Sequence, residues 1–94
     1  MIERGTGATT RAMLAAPKNA LYLWCNDRSD YPRKLAQFLN RKDLRILTTN
    51  TVINHGLKGL QRPLVVDHAF QFTPTMIELA DEIRIHIRRY GGSL

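Results

Sequence analysis

A stretch of glycines and threonines near the start of the chain has the residue types of an anion-binding loop. It reads Gly5-Thr6-Gly7-Ala8-Thr9-Thr10. A short helix is predicted after it, over residues 11–16, because Pro17 disfavours helical geometry in the residue before it. Backbone amides and the dipole at a helix start attract anions. We therefore expect this loop to attract a phosphate group, with Arg11 either as a nearby cation or as a solvated helix residue.

A second candidate is an acidic residue at the end of an apolar run. The run is Pro63-Leu64-Val65-Val66, and it is followed by Asp67 and His68. Its β-branched residues predict a strand over 63–67. Histidine is a common proton acceptor in proteins, so His68 would serve either in that role or as a hydrogen-bonded residue at the strand end.

Two further strands and two longer helices are needed to position these residues. The runs 21–25 and 44–49 predict strands, and residues 50–60 predict a short helical turn. One helix is predicted to begin at Ser29 or Asp30, with Pro32 in its first turn. The other is predicted to follow Thr73, with a capping box, and to end at Gly91-Gly92.

The core is predicted from apolar side chains at strand and helix spacing. Trp24 and Phe38 are expected to be buried. The last helix is expected to pack through an apolar stripe, and its capping box would join Thr75 to Glu78. The stripe consists of Met76, Ile77, Leu79, Ala80, Ile83 and Ile87.

Strands that alternate with helices predict an α/β fold for this single domain of 94 residues. We expect a small three-layer sandwich, in which a short, mostly parallel sheet of about three strands is flanked by helices. An exposed edge of so small a sheet would be covered by self-association, giving a homo-oligomer.

The glycine loop and the acidic strand together resemble the core of a P-loop NTPase of the helicase type. Gly5–Thr10 resembles the end of a Walker A loop, and the strand ending at Asp67 resembles a Walker B strand. Thr48–Thr51 is similar to the segment between those motifs, and the order of elements agrees. The first glycine of the motif would fall at Ile2, so the resemblance is to a truncated, degenerate version.

The resemblance implies a phosphate site, a metal site and a cofactor. Phosphate would be bound by Gly5, Gly7, Thr9, Thr10 and Arg11. Magnesium would be held by Thr9 and Asp67, with ATP as the nucleotide. Ala8 stands at the lysine position and His68 at the position of the catalytic glutamate. Because both groups are missing, we expect ATP hydrolysis to be absent or very slow, and no catalytic residue is assigned.

The net charge points to an anionic partner. The chain has 14 Lys and Arg residues against 8 Asp and Glu, which gives a net charge of +6. Such a surface attracts nucleic acid or an acidic protein surface, and it also keeps a small protein in solution. The residues expected to form it are Arg33, Lys34, Arg41, Lys42, Arg84, Arg88 and Arg89.

These observations leave three functions open. The first is a module that binds a nucleotide or a nucleic-acid phosphate without hydrolysis. The second is an interaction or inhibitor protein that has kept the fold and lost the chemistry, in the manner of phage proteins that modulate host machinery. The third is an NTPase completed by a cation from a partner.

The sequence also predicts where the protein acts. No stretch approaches 18 apolar residues and no secretory signal is recognised, so we expect no membrane partner. The chain has one cysteine, Cys25, which excludes an internal disulfide. We expect a cytoplasmic protein, in the host cytoplasm if the chain is phage-encoded.

Overall fold

The computed structural model describes residues 7–57 and 59–93. The predicted phosphate ligand Gly5 lies outside the described residues. The helices are α1 (Ala8–Ala15), α2 (Asp30–Phe38), α3 (Thr49–His55) and α4 (Ile77–Tyr90), with a 3₁₀ turn at Pro74–Met76. The strands are β1 (Leu21–Leu23), β2 (Arg45–Leu47), β3 (Leu64–Val66) and β4 (Gly92–Ser93). Within the described ranges, no helix combines the length and apolar character that a membrane crossing requires.

The predicted α/β class is confirmed, and the sheet has one strand more than expected. Its order is β2-β1-β3-β4, and every neighbouring pair is parallel. The fourth strand has only two residues and no apolar pattern, which is why sequence periodicity misses it. Gly92 is required there, because a Cβ on it would lie 1.8 Å from the carbonyl oxygen of Leu64.

The helices cover both faces of the sheet, as predicted. Successive side chains of a strand point to opposite faces. Leu21 and Leu23 pack with residues of α3 and α4, whereas Tyr22 packs with residues of α1 and α2. The first face holds Leu47, Val52, Leu57, Leu64, Val66, Phe70, Leu79 and Ile83, and the second holds Met13, Ala16, Ala20, Trp24, Ala36, Leu44 and Val65.

The amino-terminal ends of the strands are tied together by two arginines. Arg41 donates to carbonyl groups at the end of α1, to Pro17 O at 3.1 Å and to both carboxylate oxygens of Asp43 at 3.0 Å. Arg62 donates to Asn19 O at 2.6 Å and to Asp43 O at 3.1 Å. These contacts join α1 to the starts of β1, β2 and β3. We call this set of residues the amino edge.

Parts of the predicted core and one predicted cap are wrong. Trp24 is buried as expected, but Phe38 is 84% exposed and Ile77 is 65% exposed. Phe38 lies two residues beyond buried Ala36, so it points about 200° away around α2. The capping box at Thr75 does not form, because α4 continues from the 3₁₀ turn and no side chain caps either start.

Candidate functional site: the carboxyl edge of the sheet

The sheet has a topological switch point between β1 and β3. The connection from β1 leads to β2 on one side, and the connection from β3 leads to β4 on the other. In open parallel sheets, ligands bind in the crevice beyond the carboxyl ends of strands that diverge in this way. The corresponding crevice would be bordered here by Trp24 and Cys25 after β1 and by Asp67 and His68 after β3.

A buried carboxylate lies in this crevice and joins three segments of the chain. Asp67 is 2% exposed. Its Oδ1 accepts hydrogen bonds from the hydroxyl of Tyr22 at 2.6 Å and from that of Thr9 at 3.1 Å. Its Oδ2 accepts from the backbone N–H of Ala69 at 3.0 Å. Because Asp67 follows buried Val66, strand alternation turns it toward Tyr22 and α1.

The charge of Asp67 is solvated by neutral donors. Among the described residues, the other close polar contact of its carboxylate is His68, whose Nδ1 lies 3.6 Å from Oδ2 and whose side chain is 56% exposed. Burial raises the pKa of Tyr22 well above its usual value, and the hydrogen bond and charge of Asp67 raise it further. Burial, followed by the charge of Asp67, also raises the pKa of Cys25. The Cys25 thiol is therefore protonated at neutral pH, which disfavours a nucleophilic role.

The start of α1 lies against this carboxylate. Gly7 adopts the left-handed conformation (φ 74°, ψ 20°) and accepts a hydrogen bond from the N–H of Arg11 at 2.9 Å. Within residues 7–57 and 59–93, no side-chain hydrogen bond caps this end, and the first turn of α1 has no acidic residue. The structure thus brings together four of the five predicted phosphate residues, namely Gly7, Thr9, Thr10 and Arg11.

The two residues predicted to hold magnesium are in contact. Thr9 and Asp67 are 58 positions apart in sequence, yet their side chains are hydrogen bonded. The described residues contain no group of three or more His, Cys, Asp or Glu side chains able to hold a metal ion. Mg²⁺ commonly takes one or two protein oxygens and completes its shell with water and phosphate. Asp67 Oδ2 accepts a hydrogen bond from Ala69, and the Asp67 side chain is fully buried. The two oxygens are of the type that Mg²⁺ prefers, and a bound ion would require the carboxylate to become accessible.

The predicted basic surface divides into exposed and internally bonded residues. Arg41 is a bonded residue of the amino edge, and Arg84 pairs with Asp81 on the exposed face of α4 at 3.0 Å. The others are exposed on α2, after α2 and at the end of α4. They are Arg33, Lys34, Lys42, Arg88 and Arg89.

Sequence reasoning missed Tyr22 as a site residue. It lies within an apolar run and reads as a core residue, and it is indeed fully buried. The available signal was its hydroxyl group, because a buried tyrosine usually finds a hydrogen-bond partner. The partner itself, Asp67, is 45 positions away and could be identified only from the strand pairing.

Comparison of the chain with protein-family models, with curated proteins and with solved structures finds no match. The resemblance to helicase-type P-loop NTPases therefore stays a prediction that rests on the residues named above.

Proposed function

We propose that the crevice at the carboxyl edge binds a phosphate group of a nucleotide or a nucleic acid, together with Mg²⁺, without competent hydrolysis. One observation carries the proposal. The hydroxyl of Thr9 is bonded to the buried carboxylate of Asp67 where α1 begins, beside the switch point of the sheet. A helix start supplies amides for an anion, and an oxygen pair beside it supplies a place for a cation.

Each group would have a separate role. The uncapped amides at the start of α1 would bind phosphate oxygens, as Gly7 turns the chain into the helix. Thr9 and Asp67 would hold the magnesium ion, which neutralises phosphate charge when bound. Tyr22 would position Asp67 by its hydrogen bond to Oδ1.

Hydrolysis would lack two contributors. A rapid phosphoryl transfer needs a cation on the transferred group and a residue that orients water. Ala8 has no charged group at the lysine position. His68 stands at the position of the catalytic glutamate, and its Nδ1 lies 3.6 Å from Asp67 Oδ2, which is longer than a hydrogen bond.

Titration calorimetry with magnesium and ATP, and separately with a short single-stranded oligonucleotide, tests the proposal. We expect binding of at least one ligand to wild type and its loss in Thr9→Ala. Gly7→Val should also bind poorly, since valine disfavours the left-handed conformation. Thr75→Ala is the matched control, because its hydroxyl is remote and exposed. Absence of binding at millimolar ligand, or equal binding by Thr9→Ala, would overturn the proposal.

A second candidate is an interaction module without chemistry. The observation that favours it is Phe38, a large aromatic side chain that is 84% exposed at the end of α2. Exposed aromatic residues are enriched where proteins dock. This function predicts that Phe38→Ser abolishes association with the partner while Thr9→Ala leaves it intact.

A further inference from the structure

A groove of 530 Å³ follows the outer edge of β2, between α2 and α3. Its floor includes Leu44 and Ile46, and its rim carries Arg33, Lys42 and Arg45. The groove is on the opposite side of β1 from the switch-point crevice, so it is separate from the proposed phosphate site.

In the part of the chain that the structure describes, the backbone at this edge has an open position in the hydrogen-bond ladder. Arg45 donates its N–H to Ala20 O at 3.0 Å, and Leu47 accepts from Trp24 N–H at 2.8 Å. Residues 45 and 47 are therefore bonded to β1. Backbone groups alternate in direction along a strand, so the N–H and C=O of Ile46 face the groove.

The charges of the groove indicate what fits this edge. It is lined by three basic side chains and no acidic one. The nearest acidic residue in sequence, Asp43, is bonded to Arg41. A second copy of the chain would bring the same cations into opposition, which disfavours pairing of two β2 edges.

We propose that the edge of β2 binds an extended acidic segment of a partner protein, which adds to the sheet as a fifth strand. The segment's backbone would pair with Ile46, and the carboxylates on one face of the added strand would pair with Arg45, while Arg33 and Lys42 contribute positive charge at the rim. Alternate apolar side chains would cover Leu44 and Ile46. A peptide suits this edge better than a nucleic acid, because a phosphodiester has no donor for the carbonyl of Ile46 and the lining has no aromatic ring for base stacking.

The first test is titration of a fluorescent eight-residue peptide of alternating Glu and Val, followed by anisotropy. We expect binding that weakens with salt and falls at least about tenfold in Arg45→Glu. Lys34→Glu is the matched control, since Lys34 is exposed on α2 and outside the groove. Thr9→Ala should bind the peptide normally, which separates this proposal from the phosphate site.

The second test is specific for strand addition. Hydrogen exchange at the Ile46 amide should slow at least about tenfold when the peptide binds. Ile46→Pro removes this outward N–H without breaking a bond to β1, so the variant should fold, as judged by circular dichroism, and lose the peptide. An unchanged exchange rate in the complex would overturn the proposal even if Ile46→Pro failed to fold. So would no binding at millimolar peptide, or displacement of the peptide by equimolar oligothymidine.

Discussion

An aspartate joins distant segments at each end of the strands: Asp43 at the amino edge, where the strands begin, and Asp67 at the carboxyl edge, where they end. The two aspartates are solvated differently. At the amino edge, both oxygens of Asp43 are bonded to the guanidinium of Arg41 at 3.0 Å. At the carboxyl edge, Asp67 is more deeply buried, but its donors are the hydroxyls of Tyr22 and Thr9 and one backbone N–H.

The difference separates a structural cluster from a candidate functional one. A buried carboxylate is costly unless it is paired and hydrogen bonded. Asp43 has its counter-charge within the fold, which accounts for the cluster by stability alone. The described hydrogen-bond donors to Asp67 are neutral groups. Under the proposed function, a bound magnesium ion would supply the counter-charge.

The largest expected effect is at the amino edge. Arg41→Ala should lower the free energy of unfolding by about 2–4 kcal/mol, because Asp43 and the carbonyls at the end of α1 lose their donor. Urea unfolding measures this, with Lys42→Ala as the control, expected within about 0.5 kcal/mol of wild type. Binding of magnesium and ATP by folded Arg41→Ala should be unchanged. A loss of unfolding free energy below about 0.5 kcal/mol would show that the amino edge does not have the structural role assigned to it.

At the carboxyl edge, we expect one substitution to affect the free energy of unfolding and the binding of magnesium to different extents. Tyr22→Phe should cost about 1–3 kcal/mol of stability, because Asp67 loses a buried donor. It should weaken magnesium binding less than Thr9→Ala does, because Tyr22 would only position Asp67 whereas Thr9 would hold the ion itself. Urea unfolding and calorimetry on the same samples test this. Equal loss of magnesium binding in Tyr22→Phe and Thr9→Ala would indicate that Asp67 belongs to an ordinary buried polar network and not to a metal site.

The amino edge should also respond to acid. The hydrogen bonds from Arg41, followed by that from the Asn19 N–H, hold the pKa of Asp43 well below its usual range. A lowered pKa stabilises the folded state above the unfolded pKa, near pH 4, and this contribution is lost as the pH falls toward the folded pKa. Asp43→Asn should therefore be less stable than wild type at pH 6, and the difference should shrink below about pH 4. A constant difference in urea midpoints from pH 6 to pH 3 would contradict this.

The sequence predicts the central sheet and the two helix layers of this fold better than it predicts the short strand β4 or the exposed side chains of α2. The runs containing β1, β2 and β3 and the helix spacing suffice for a parallel sheet with helices on both faces. They do not reveal β4, because Gly92 and Ser93 carry no apolar period. They also do not place Phe38, because its position depends on which face of α2 meets the sheet.

The members of the candidate site were predictable only in part. The resemblance to a P-loop NTPase paired Thr9 with Asp67, and the structure brings their side chains into contact. Local sequence could not predict the third member, Tyr22, because strand pairing alone brings it to Asp67. It also could not distinguish Arg41 from its basic neighbours, since the carbonyl acceptors at and after the end of α1 reach Arg41 only through the tertiary position of that helix.

The smallest expected effect concerns an ion pair at neither edge. Arg84 and Asp81 lie 3.0 Å apart, with side chains 55% and 65% exposed. Water screens such a pair, so Arg84→Ala should change the free energy of unfolding by less than about 0.5 kcal/mol. Urea unfolding of Arg84→Ala beside Arg41→Ala makes the comparison direct, because both remove an arginine bonded to an aspartate. Equal losses of unfolding free energy in the two variants would mean that burial and the carbonyl contacts add no stability at Arg41. The contrast between the amino edge and the carboxyl edge would then depend on Asp67 alone.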